Sequence, residues 1–157
     1  MSRESDYLEN AIDRYPPAIA ATARAALRRL RTRFPGAHLL VYDRRQSLPI
    51  GLAPAVGGGA PISVVLYPRW VRFFFLEGAA LDDPKGRLEG DGNQVRSIKL
   101  DETAAVLDDP YIRQLITKAV RLSGADLKSG DAAVVLKSSL DGSVGSKGKN
   151  ARAPRNR

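Results

Sequence analysis

Apolar residues recur every three or four positions at the start of the chain, alternate with polar ones through the middle, and return to helical spacing near residue 110. Tyr7, Leu8, Ala11, Ile12 and Tyr15 line one face of a short helix over residues 6–15, which Pro16-Pro17 ends. A second helix opens on Pro17 and carries the stripe Ile19, Ala23, Ala26, Leu27, Leu30 and Phe34 before Pro35-Gly36 stops it. Five strands are then predicted, over 37–43, 48–55, 62–67, 70–76 and 94–100. Pro49 and Pro54 place the second at a sheet edge, and Pro68-Arg69 makes a hairpin of the third and fourth. Asp101 caps a short helical turn, and Asp109-Pro110 opens a last helix with Ile112, Leu115, Ile116, Ala119 and Val120 inward, ending at Ser123-Gly124. Residues 131–136 are apolar but short, a segment that docks or frays.

This order predicts an α+β fold: a five-stranded, mainly antiparallel sheet with the N-terminal and C-terminal helices packed on one face. The 157 residues, 43% hydrophobic and 27% charged, suit one domain with a core of its own. Cysteine is absent, which removes disulfides, thiolate zinc sites and thiol nucleophiles. With one His and one Met as well, no cofactor is expected. No apolar run is long enough to span a bilayer and no signal-like stretch opens the chain, so a cytoplasmic protein with no membrane partner is expected.

The net charge of +8 is unevenly placed. Six basic residues and only Asp141 fall between 137 and 157, leaving 19 basic and 16 acidic residues for positions 1–136. That C-terminal segment is rich in Ser, Gly, Lys and Arg, lacks aromatics and shows no apolar period, so it is expected to be a disordered basic tail on a compact 1–136 domain. Nucleic acid is a possible partner through this tail, aided by the Arg24, Arg28 and Arg31 stripe that Arg29 and Arg33 extend.

The motifs for catalysis are weak. Gly57-Gly58-Gly59 precedes Ala60-Pro61 with no helix to follow, so it reads as a hairpin loop and not a phosphate cradle. Gly90-Asp91-Gly92 lacks the third glycine of a dinucleotide fingerprint, Val95 standing in its place. Asp82, Asp83, Glu89 and Asp91 cluster in sequence without the ligand spacing of a calcium loop. His38 has no identifiable partner, and no GxSxG is present. Alternation puts Trp70, Arg72, Phe74 and Leu76 on one side of their strand and Val71, Phe73 and Phe75 on the other. Aromatics beside guanidinium groups suit a carboxylate or phosphate.

The strings Leu66-Tyr67-Pro68-Arg69-Trp70-Val71, Phe73-Phe74-Phe75-Leu76-Glu77-Gly78-Ala79 and Leu88-Glu89-Gly90-Asp91-Gly92 are similar to the YdhG-like family of domains of unknown function. So are Val41-Tyr42-Asp43, Leu81-Asp82-Asp83-Pro84, Val95-Arg96-Ser97-Ile98-Lys99-Leu100 and the helix after Asp109-Pro110, so the resemblance spans about residues 6–124. It implies a fold related to frataxin-like iron chaperones, with the loop carboxylates as the alternative, metal-handling reading. Arg44-Arg45-Gln46 replaces an Asn-Tyr-Asn stretch common in the family, and Asn93 replaces a Lys; like-charge repulsion from the two arginines disfavours a metal cation there. The leading expectation is a non-enzymatic module whose open sheet face binds a small anionic ligand or a protein partner. Its site residues are Tyr42, Arg44, Arg45, Tyr67, Trp70, Arg72, Arg96 and Lys99.

Overall fold

In the computed structural model, which describes residues 2–140, α1 spans Arg3–Asp13 and α2 spans Pro17–Arg33. The Ser2 side chain accepts from the Ser5 N–H and caps α1, whose Leu8, Ala11 and Ile12 face inward. Proline at the first position of α2 costs no hydrogen bond, and Ala20, Ala23, Ala26, Leu27 and Leu30 form its buried stripe. The three alanines of this stripe let the helix lie close to the sheet.

Five strands follow in sequence order: β1 His38–Tyr42, β2 Leu48–Ala53, β3 Ile62–Leu66, β4 Val71–Phe75 and β5 Arg96–Lys99. Each pairs antiparallel with the next, through pairs such as Leu39↔Leu52, Ile50↔Val64, Val64↔Phe73 and Phe73↔Ile98. Asp101 accepts from the N–H groups of Ala105 and Val106 at 3.2 and 3.0 Å, capping a short turn. The helix α3, Pro110–Ser123, then runs from Asp109, whose carboxylate accepts from the Tyr111 and Ile112 amides, to Gly124 in the left-handed region.

A sixth strand, β6 Val134–Ser138, closes the sheet order β5-β4-β3-β2-β1-β6 by pairing parallel with β1. The sheet is therefore six-stranded and mixed, where five mainly antiparallel strands were expected; the α+β class holds. The segment 131–136 docks because Val134 and Leu136 fall in register with Leu39 and Val41 on the core side. The strand also continues two residues beyond the 136/137 boundary expected for the domain, because the backbone pairing with β1 extends to Ser138. The expectation of a disordered tail otherwise falls on residues 141–157, outside the described residues.

The second strand is not at an edge either. It lies between β1 and β3, and Pro49 is accommodated one residue past the last β1–β2 pair, Val41↔Ile50, where the ladder has already ended.

Because strand side chains alternate, one face of the sheet presents Leu39, Val41, Ile50, Leu52, Val64, Phe73, Phe75 and Ile98, all buried. The three helices share one core with that face. Phe73 and Phe75 meet edge to face, ring centroids 5.1 Å apart, and each fully buried side chain of this size contributes about 1.5–3 kcal/mol. None of the described helices is long and apolar enough to cross a membrane.

Candidate functional site

The same alternation hands the other face of the sheet to Tyr42 and Leu40 on β1, Val65 on β3, Arg72 and Phe74 on β4, Ser97 and Lys99 on β5, and Val135 on β6. None of the described helices lies on it. Trp70, one residue before β4, is 40% exposed, and the Lys99 ammonium stands 5.4 Å from its ring centroid. That is cation–π geometry.

Arg72 is on the open face but is not free. Its Nε donates to Ser97 Oγ at 3.1 Å, and its guanidinium pairs with the Glu89 carboxylate, brought in by a backbone bridge between Glu89 and Ser97. A charge already neutralised by Glu89 is a poor donor to an outside anion, so Arg72 acts as a strut beneath the aromatic patch. Arg96 is placed elsewhere. It pairs across from Phe75, hence on the opposite parity from Ser97, and donates to the carbonyls of Gly92 and Val95 at 2.7 and 2.9 Å.

The register brings the β1–β2 turn and the β3–β4 turn to one end of the sheet, since Leu48 pairs with Leu66 and Leu66 with Val71. The Arg44 guanidinium lies 5.6 Å from the Tyr42 ring centroid, and Arg45 is exposed in the same turn. Half-buried Tyr67 donates its N–H to the Trp70 carbonyl at 2.9 Å. Two strands separate β1 from β4, so the two aromatic–cation pairs stand on the order of 14 Å apart along a band at that end of the sheet. Arg69, exposed at the hairpin tip, belongs to this band and is absent from the site residues expected from sequence; its place between Tyr67 and Trp70 is the local signal for it. Arg44, Arg45, Arg69 and Lys99 have no carboxylate partner among the described residues.

Other candidates come apart. Asp83 accepts from Tyr111 and from the Leu88 and Arg87 amides, Glu89 is paired with Arg72, and Asp82 and Asp91 are exposed. No group of three His, Cys, Asp or Glu side chains able to hold a metal occurs among the described residues. His38 does have a partner, Asp131, at 2.6 Å, which sequence could not show because the two are 93 residues apart. Arg24 of the basic stripe is neutralised by Glu9 and Asp13, both at 2.9 Å, while Arg31 reaches only the Ala132 carbonyl, at 3.4 Å.

Grooves among the described residues lie away from the sheet face; one, of about 910 Å³, runs between the β2–β3 loop and the end of α3. Comparison with family models, with curated proteins and with solved structures finds no match for this chain.

Proposed function

We propose that this chain is a non-enzymatic binding module that docks an acidic protein partner across the uncovered face of its sheet. The observation that carries the reading is the Lys99–Trp70 pair, an exposed indole with an unneutralised ammonium over it, on a face that none of the described helices covers. Arg44 over Tyr42, with Arg45 and Arg69 beside them, extends the same chemistry along one end of the sheet. Four cations without carboxylate partners, beside carboxylates already engaged (Glu89 with Arg72, Asp43 with Arg14, Asp101 with the Ala105 and Val106 amides), make that end complementary to acidic side chains. Aromatic residues at the centre with arginine around them are the composition that dominates binding energy at protein interfaces. Groups spread over about 14 Å along the sheet end favour a protein over a small anion, because a small molecule reaches only one of the two pairs. The likeness to YdhG-like domains accords with a small α+β module and supplies no chemistry of its own.

Trp70 is the single tryptophan, so its emission reports on the site directly. Titration with a polyglutamate peptide is expected to change that emission saturably, and Lys99→Glu or the Arg44→Glu/Arg45→Glu pair to weaken binding tenfold or more. Inorganic phosphate in place of the peptide is expected to do nothing. Equal saturation by phosphate transfers the reading to a small anionic ligand, and silence with both probes ends the proposal.

A further inference from the structure

At the far side of the molecule, the last residue of α2 meets the outward face of α3. Arg33 donates from Nη2 to Thr117 Oγ1 at 2.9 Å, and its guanidinium carbon lies 5.1 Å from the Phe34 ring centroid. Its Nη1 is buried and has no hydrogen-bond partner. Burial and the like charge of Arg113 both push the Arg33 guanidinium below its ordinary pKa, with Asp108 opposing them. Asp108 is engaged elsewhere, pairing with Arg29 and, at 3.4 Å, with Arg113.

Arg33 and Arg113 form one wall of a groove of about 470 Å³ that Gln114, Thr117, Lys118 and Arg121 continue. No carboxylate lines it. Lys118 and Arg121 have no ionic partner among the described residues. Arg33, Lys118 and Arg121 thus line one groove without a carboxylate partner among the described residues, and Arg113, whose Asp108 is shared with Arg29, adds a fourth positive charge. A half-buried guanidinium pressed by a second guanidinium is stabilised by negative charge brought to the groove it lines.

The shape of the array narrows what that charge is. Arg113, Thr117 and Arg121 are each one helical turn apart, so the donors follow the α3 axis over about 12 Å. A single compact anion neutralises one end of such a row. A linear anion with a charge on each of several linked groups meets the whole row, and arginine grips each phosphoryl group with paired N–H donors. We propose that the α2–α3 groove is a binding site for an oligophosphate chain, held by Arg33, Arg113, Lys118 and Arg121 with Thr117 and Gln114 as neutral donors. This site is independent of the sheet-face module: it shares no residue with it.

Calorimetry on the full chain tests it, with inorganic tripolyphosphate, a nucleoside triphosphate and inorganic phosphate as separate titrants. Tripolyphosphate is expected to bind at one site at least tenfold more tightly than phosphate. The exposed pair Lys118→Gln/Arg121→Gln, which leaves the core untouched, is expected to weaken it tenfold or more, and Arg33→Gln to do the same. Arg44→Gln/Arg45→Gln on the sheet face is expected to leave it unchanged. A nucleoside triphosphate matching tripolyphosphate identifies the free chain of phosphates as what is read; tighter binding identifies a nucleotide as its source. The proposal is overturned by no saturable binding, by affinity that survives Lys118→Gln/Arg121→Gln, or by loss of affinity on the sheet-face substitutions instead.

Discussion

The Tyr7 hydroxyl donates to Asp43 Oδ2 at 2.6 Å, and the Arg14 guanidinium holds the same oxygen at 2.5 Å. The Asp43 side chain is wholly buried. Its backbone N–H donates to the Ser138 carbonyl at 3.0 Å, and the Tyr7 oxygen accepts from the Leu140 N–H at 3.4 Å. One carboxylate therefore ties α1 and the β1–β2 turn to the end of β6, immediately before Arg44 and Arg45 of the binding face. Burial pushes the Tyr7 phenol up, and its bond to Asp43 pushes it the same way, so it stays a donor across the neutral range.

Tyr7→Phe removes one of the two side-chain donors to a wholly buried carboxylate. A hydrogen bond to a charged group contributes about 1.5–3 kcal/mol, and the loss is expected to be of that size in urea denaturation. Hydrogen exchange at the Leu140 amide is expected to speed up in the same variant. An unchanged midpoint with unchanged exchange contradicts this role for the node.

Gly36, in the turn between α2 and β1, and Gly130, on the approach to β6, cross with their backbones in contact. A Cβ on Gly36 meets the Gly130 nitrogen at 2.2 Å, and one on Gly130 meets the Gly36 oxygen at 2.3 Å. Both obstacles are main chain and cannot step aside. Gly36→Ala is expected to cost about 1–3 kcal/mol by overpacking. It is also expected to release β6, whose approach is held by the Gly36 N–H to Leu127 carbonyl bond. A variant as stable as the parent, with β6 amides equally protected, sinks this account.

Asp109 caps α3, accepting from the Tyr111 and Ile112 amides at 3.1 and 3.3 Å. Asp109→Ala is expected to lower stability by about 1 kcal/mol, and Asp109→Asn, which keeps the acceptor, by much less. Equal losses from the two substitutions point to charge and not to the cap.

Asp83 gives stability an acid limb. Burial pushes its carboxyl up, but the Tyr111 hydroxyl and the Leu88 and Arg87 amides outweigh that and hold it below its ordinary 3.8. A carboxyl whose pKa is lower folded than unfolded contributes stability above the unfolded value and loses it as pH falls through the folded one. Urea midpoints are expected to drop below about pH 4. Asp83→Asn is expected to flatten that drop, and a slope identical to the parent's removes Asp83 as its source.

Local signals made most of the elements legible. The stop at Pro35-Gly36, the Asp109-Pro110 start and the alternation through Val71–Phe75 each act within a few residues, and the helices and hairpins formed where they pointed. Trp70 and Lys99 were both named as site residues, but their contact follows from the register of β4 on β5, which no local pattern gives. Arg96 was misassigned because the sequence reading grouped it by charge, whereas parity across from Phe75 separates it from Ser97 and Lys99. Arg72 could not be recognised as neutralised, because Glu89 reaches it from a loop 17 residues away.

What the sequence alone determined is the class of fold, the three helices and the antiparallel hairpins, since periodicity, caps and turn residues are short-range. The parallel partner of β1, the neighbours of Asp43 and the gathering of Arg33 with α3 were decided by tertiary packing. Each joins segments more than 80 residues apart or depends on a strand that does, such as Leu39↔Val134 and Arg33–Thr117. No local propensity specifies such contacts; they form only when burying one continuous apolar face brings distant backbone and charge together.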